Sequence, residues 1–240
     1  MNRYDSIIIG AGHNGLVCAA YLAKKGQSII VLEASETAGG LAASREFHPG
    51  FKTSVAHAVN HFPEKISKDL DLKSFGLKAF AEPLPTVGLC ADGNHIVVDR
   101  NSVSGVGESD TESYRQYTRL MQRFADVFKP FWLKTIPRIG IGSLADMTTL
   151  GRMGLGLRML GKDDMREFMR IASLPARDLM DENFDHEILK ATLSWDGLVG
   201  SKLAPRSPNH AVLPMLYRMA GEQQGSVGGL IEALQSAATA

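Results

Sequence analysis

The chain has 240 residues, with 26 Lys plus Arg against 26 Asp plus Glu, and so carries no net formal charge. That length suits one large domain, or one domain and part of another. The charge balance gives no electrostatic reason to expect nucleic acid as a partner.

The two cysteines, Cys18 and Cys90, form no CxxC motif and suit a reducing compartment. No basic leader precedes the short apolar run Ile7–Ile9, so the N-terminus does not read as a signal or transit peptide. No run approaches the roughly 20 apolar residues of a membrane span. A soluble or membrane-peripheral protein is expected.

Ser6–Ile9 is short, apolar and β-branched, as a buried parallel strand is. Gly10, Gly12 and Gly15 follow as GxGxxG, enclosing Ala11, His13 and Asn14. The first glycine permits a tight turn, the second a close approach of backbone to a pyrophosphate, and the third close packing of helix on sheet. Leu16–Lys25 has a helical apolar face, and Gly26 ends it. The helix start then presents free N–H groups and a positive dipole end to phosphates. Ser28–Leu32 reads as the second strand. Glu33 closes it, 18 residues beyond Gly15. A carboxylate there accepts hydrogen bonds from ribose hydroxyls and repels a 2′-phosphate, favouring FAD or NAD over NADP.

Further along, Ala42–Phe47 and Phe51–Ser54 look extended about a His48-Pro49-Gly50 turn. Glu64–Leu72 reads as a helix. Thr86–Ala91 and His95–Asp99 make a hairpin across Asp92-Gly93-Asn94. The polar stretch Asn101–Asp110 reads as a loop, with a capping box Ser109-x-x-Glu112 opening a helix to about Phe128. Ile139–Leu160, rich in Gly, Leu and Met, has a bland reading as loop plus core helices. Its sharper reading is a surface that touches lipid or guides an apolar substrate. Asp163–Ser173, Pro175–Asn183 and His186–Ser194 read as helices.

The stretch from Glu33 through Ala34 to Gly39, Gly40 and Leu41 resembles the two-dinucleotide-binding-domain flavoproteins of glutathione-reductase-like fold. There, a glycine pair after the ribose acid passes the FAD pyrophosphate. "GAGHNGLVCAAYLAKKG" resembles phytoene-desaturase-like flavoproteins, which include carotenoid desaturases and isomerases. The likeness continues through "FHPGFKTSVAHAVNHFP" at 47–63, "DLDLKSFGLK" at 69–78, "LKATLSWDGLVGSKLAPRSPNHA" at 189–211 and "GSVGGLIEAL" at 225–234. The resemblance implies an α/β fold. An FAD-binding Rossmann-type segment would span 1–75, part of an α+β substrate domain 76–224, and a return segment 225–240.

It also implies members roughly twice this length, so the chain looks like an N-terminal half. On that view Leu213, Leu216, Leu230, Ile231 and Leu234 are expected to lack partners. They would wait for a complementary C-terminal polypeptide or a second copy. The implied activity is FAD-dependent oxidation, desaturation or isomerisation of an apolar small molecule, in bacterial cytoplasm or a mitochondrial matrix, with peripheral membrane contact. The alternatives are a non-catalytic FAD-binding regulatory module and an NAD-binding dehydrogenase.

A flavin brings its own redox chemistry, so no triad is required. By resemblance, His57 in "SVAHAV" approaches the flavin ring and is the one catalytic candidate. His48, His61, His95, His186 and His210 lack metal-ligand spacing. Asp196 and Arg206 read as turn residues or cavity lining, and Trp132 and Trp195 as core or cavity wall.

Overall fold

A computed structural model describes residues 3–54, 62–78, 84–132, 134–135, 137–138, 143–208, 211–221 and 227–240. It divides into two compact units, Met1–Glu82 with Glu222–Ala240, and Pro83–Gly221.

The first unit opens with strand β1, Ser6–Ile9, helix α1, His13–Lys24, and strand β2, Ile29–Leu32. β1 and β2 pair in parallel with Ser6 beside Ile29 and Ile9 beside Leu32. Helix α1 buries Leu16, Ala19 and Ala20. Its end is set by Gly26, which takes a left-handed φ of 78° and donates its N–H to the Ala23 carbonyl at 2.7 Å. An antiparallel pair follows, β3, Arg45–His48, with β4, Phe51–Thr53, then helix α2, Glu64–Asp69.

Helix α9, Val227–Thr239, returns to this unit and packs along α1. Its Leu230, Ile231 and Leu234 join Leu16, Ala20 and Leu72 in one apolar cluster. This corrects the expectation of bare leucines. Leu230, Ile231, Leu234 and Leu216 are all buried, and of the five only Leu213 is exposed. The alanine face of α1 leaves room for the larger side chains of α9. The uncovered apolar surface lies elsewhere. Partners across a parallel ladder share a face, so Ile7, Ile9, Ile30 and Leu32 stand together, opposite Ile8 and Val31. Ile7 is 65% and Ile9 87% exposed. Parallel sheets are ordinarily covered on both faces.

The second unit holds a three-stranded antiparallel sheet: β5, Thr86–Gly88, β6, Ile96–Val98, and β7, Val103–Ser104. Among the described residues six helices follow: α3, Glu108–Phe128; α4, Leu144–Met159; α5, Lys162–Ile171; α6, Ala176–Asn183; α7, Glu187–Leu198; and α8, Val212–Ala220. Their core is built on Phe124, Phe128, Phe168, Met180, Leu189 and Leu216. The expected loop 101–110 thus contains β7, a strand too short to announce itself. The expected capping box at Ser109 does not form. α3 begins two residues earlier, behind Gly107, with no side-chain cap. Asp110 is drawn inward instead, and accepts the N–H groups of Asp185 at 2.8 Å and His186 at 2.9 Å. The box that does form is Ser143 with Asp146, at the start of α4. α4 buries no residue fully, but its Met153 and Leu157 pack against this core, so it lies at the edge of the core rather than in its centre. Trp195, expected in a core or cavity wall, is 56% exposed.

Candidate nucleotide-binding site

The turn from β1 to α1 is built around backbone rather than side chains. Gly10 takes φ +96°, in the left-handed region that L side chains rarely adopt, and donates its N–H to the Leu32 carbonyl at 2.7 Å. A Cβ on Gly15 would stand 2.1 Å from the Gly10 carbonyl oxygen, so only glycine lets α1 start this close to β1. Gly12 caps α1 with extended backbone and supplies no side-chain hydrogen bond. The first turn holds no acidic residue. Leu16 is the first residue whose N–H finds the helical partner, the Gly12 carbonyl at 2.9 Å. Helix-start amides without a side-chain cap are donors for an anion. His13 and Asn14 lie in this turn with exposed side chains.

Glu33 follows β2 directly. One carboxylate oxygen accepts the Ala11 N–H at 2.7 Å and the other the Ser35 N–H at 2.9 Å. These bonds, Ser35 first and Ala11 second, hold the Glu33 carboxyl below the usual carboxylate range. The acid is therefore an anion at neutral pH and staples the glycine turn to the end of β2. A carboxylate oxygen accepts more than one donor, so an anion at this place can also meet hydroxyl groups. Spacing alone singles out Glu33 as a candidate. The bond to Ala11, which fixes the loop, is visible only in three dimensions.

Gly39 and Gly40 come to the same place. The Gly39 N–H donates to the Ala11 carbonyl at 2.7 Å, and a short parallel bridge joins Gly12 to Gly39. A Cβ on Gly39, where φ is +124°, would lie 2.8 Å from Ala43 Cα, and one on Gly40 would lie 3.4 Å from Gly12 Cα. Three glycine backbones thus come together at the carboxyl ends of β1 and β2, the end where open α/β sheets take ligands. Ala34 and Leu41 are exposed beside it, Leu41 strongly so. Capless amides, no acid in the first turn, a poised carboxylate and backbone lined by glycine all fit an adenosine diphosphate moiety.

The other candidates do not join this group. His57, with His61 and His210, lies outside the described residues. His186 caps α7, accepting the Leu189 N–H, while His48 and His95 are exposed. Asp196 pairs with Arg218 at 3.6 Å, and Arg206 is exposed. Among the described residues no three His, Cys, Asp or Glu side chains come together as a metal site. No helix there is long and apolar enough to cross a membrane.

Residues 8–71 match the model of the NAD(P)-binding Rossmann-like domain. The chain is 31% identical to rat pyridine nucleotide-disulfide oxidoreductase domain-containing protein 2, over 99% of its own length and 46% of the relative's. It is 32% identical to a limonene dehydrogenase polypeptide of Castellaniella defragrans, over 56% of this chain and 23% of that one. Among solved structures, putrescine oxidase bound to putrescine superposes with a TM-score of 0.53 at 15% identity. That match covers 98% of this chain and 49% of the oxidase. The chain spans about half the length of the curated protein it matches end to end. Residues 8–71 thus share the Rossmann-like fold of that family model, and the chain is similar along its length to pyridine nucleotide-disulfide oxidoreductase domain-containing protein 2.

Proposed function

We propose that this chain is the adenosine- and phosphate-holding part of an FAD-dependent oxidoreductase that acts on an apolar small molecule. The observation that carries the reading is the convergence of Gly10–Gly15, Glu33 and Gly39–Gly40 at one end of β1 and β2. The α1 amides hold the pyrophosphate, Glu33 accepts the ribose hydroxyls, and Gly39 and Gly40 keep side chains out of the path beyond the phosphates. The resemblance of Glu33–Leu41 to the two-dinucleotide-binding-domain flavoproteins favours FAD over NAD. The flavin, when bound, supplies the hydride-accepting chemistry. The apolar substrate is supported by the hydrocarbon in the name of the limonene dehydrogenase polypeptide. The free cysteines Cys18 and Cys90 suit a reducing compartment, bacterial cytoplasm or mitochondrial matrix. A complementary polypeptide covers Ile7, Ile9 and Leu32. The support is the greater length of the curated relative and the usual two-sided cover of a parallel sheet.

Calorimetric titration of the chain with FAD, ADP and NAD tests the reading. FAD and ADP bind competitively, NAD binds more weakly, and FAD is lost on dialysis because the described contacts reach only the adenosine and phosphates. Glu33→Ala weakens both FAD and ADP by about tenfold or more, as loss of a charge-assisted hydrogen bond does. Equal affinities for wild type and Glu33→Ala remove the ribose assignment. A preference for NAD transfers the chain to the dehydrogenases. FAD retained stoichiometrically after dialysis ends the need for a complementary polypeptide.

A further inference from the structure

We propose that the outer face of α4 is a docking element for an anionic lipid surface, on which the helix lies flat. α4 is apolar on two sides. Met153, Leu157 and Leu160 pack against the core of the second unit. On the opposite side Leu144, Met147, Gly151, Leu155 and Met159 follow one another at intervals of three, four, four and four residues, which sets them in a single stripe. That stripe faces solvent, with Leu144 78%, Leu155 59% and Met159 79% exposed. Sixteen residues make a helix of about 24 Å, too short to span a bilayer and long enough to lie along one.

Charge decides the occupant. α4 carries three charged side chains, Asp146, Arg152 and Arg158. Asp146 is engaged at the N-terminal cap, where it accepts from Ser143. Arg152 and Arg158 are exposed and form no ion pair among the described residues. On a helical wheel Arg152 falls just outside the Met159 edge of the stripe, and Arg158 falls within it near the Met147 edge, both in the C-terminal half. Long cationic side chains in or beside a Leu/Met stripe bury their stems at a lipid boundary and set their heads among anionic headgroups. An apolar protein groove would leave both guanidiniums unmatched. The opposed apolar faces also give the segment a use for its Gly151 and Gly154. A Cβ at either would meet nothing within 4 Å, so no packing among the described residues requires them. This assignment stands apart from the nucleotide site.

The test is flotation of the 240-residue chain with vesicles of phosphatidylcholine and phosphatidylglycerol, beside vesicles of phosphatidylcholine alone. Wild type floats with the anionic vesicles and is released by salt. Leu155→Glu combined with Met147→Glu lowers the partition coefficient by about tenfold or more. Arg152→Gln and Arg158→Gln each lower it by about fivefold on anionic vesicles, with little change on neutral ones. All four positions are exposed, and an unchanged cooperative melt verifies that each variant folds. No flotation of wild type, flotation unchanged in the α4 variants, or self-association that the same variants abolish without any vesicle binding would each overturn the proposal.

Discussion

Around Gly10–Gly15 the working surface is backbone. A Cβ at Gly15 would collide with the Gly10 carbonyl, and one at Gly39 with Ala43. In the second unit the counterpart is a set of side chains that tie its helices and turns together. Asp110 holds the amides of Asp185 and His186, and Lys190 bridges Asp181 and Glu187. The second unit has tight glycines too, such as Gly197, whose Cβ would meet the Ala211 carbonyl at 2.8 Å. Those serve helix packing. The two regions therefore fail in opposite ways. The glycine site is broken by adding atoms, and the helical core by removing them.

The largest expected effect comes from Gly15→Val. No flexible side-chain end can move aside, because the obstructing atom is the Gly10 carbonyl. Overpacking against backbone should cost about 3 kcal/mol or more. A denaturant melt should show that loss, and ADP binding should disappear with it. Normal stability and affinity would mean that α1 can shift away from β1, and the contrast between the regions would lose its sharpest case.

Next is Asp110→Ala, which removes an acceptor from two part-buried amides joining α6 to α7. Leaving such donors unsatisfied costs about 1–3 kcal/mol. The melting midpoint should fall while ADP affinity stays unchanged. A fall in both would show that stability and nucleotide binding are not separable by region.

A smaller and pH-dependent effect belongs to Arg177, Asp181, Glu187 and Lys190. Hydrogen bonds from Lys190, and then from Arg177, hold both the Asp181 and the Glu187 carboxyls below the usual carboxylate range. The folded state thus binds fewer protons than the unfolded one in acid. The stabilisation is complete above the ordinary carboxylate range, and is lost as pH falls through the lower folded values. Replacing Lys190 by Met should flatten the acid limb of a stability-against-pH curve and leave the neutral region nearly level. An unchanged acid limb would assign it to other carboxylates.

These differences explain what could be read in advance. Gly10, Gly12, Gly15 and Glu33 carry their signal in residue type and spacing, so the strand, the glycine turn and the acid after β2 were legible in advance. The covering of α1 by α9 was not legible. "LIEALQSAATA" states an apolar face but not its partner, and the alanines of α1 supply that partner only in three dimensions. α4 was obscured for another reason. Apolar residues on opposite sides cancel the one-sided pattern from which amphipathic helices are recognised. β7 is two residues long in a Gly- and Ser-rich stretch, and its pairing to β6 gives no local signal. Ser109 and Glu112 have the capping-box spacing, yet the pull of Asp110 into the core starts the helix behind Gly107 instead.

The smallest expected effect reverses the rule for the second unit. Tyr117 is buried on α3, with its ring edge-on to Phe184 at 5.3 Å. Its hydroxyl has no hydrogen-bond partner among the described residues. Burial raises its pKa well above the usual phenol range, so it remains neutral at any working pH. An unpaired buried hydroxyl carries a desolvation cost, whereas the ring and its contact with Phe184 survive in phenylalanine. Tyr117→Phe removes the cost and keeps most of the packing. A gain of up to about 1 kcal/mol is expected, because the small void left by the oxygen offsets part of the benefit. Denaturant melts of wild type and variant at neutral pH measure it. A loss of more than about 1 kcal/mol would mean that the hydroxyl is bonded in solution. Tyr117 would then join Asp110 as a side chain whose removal, not whose presence, destabilises the helical unit.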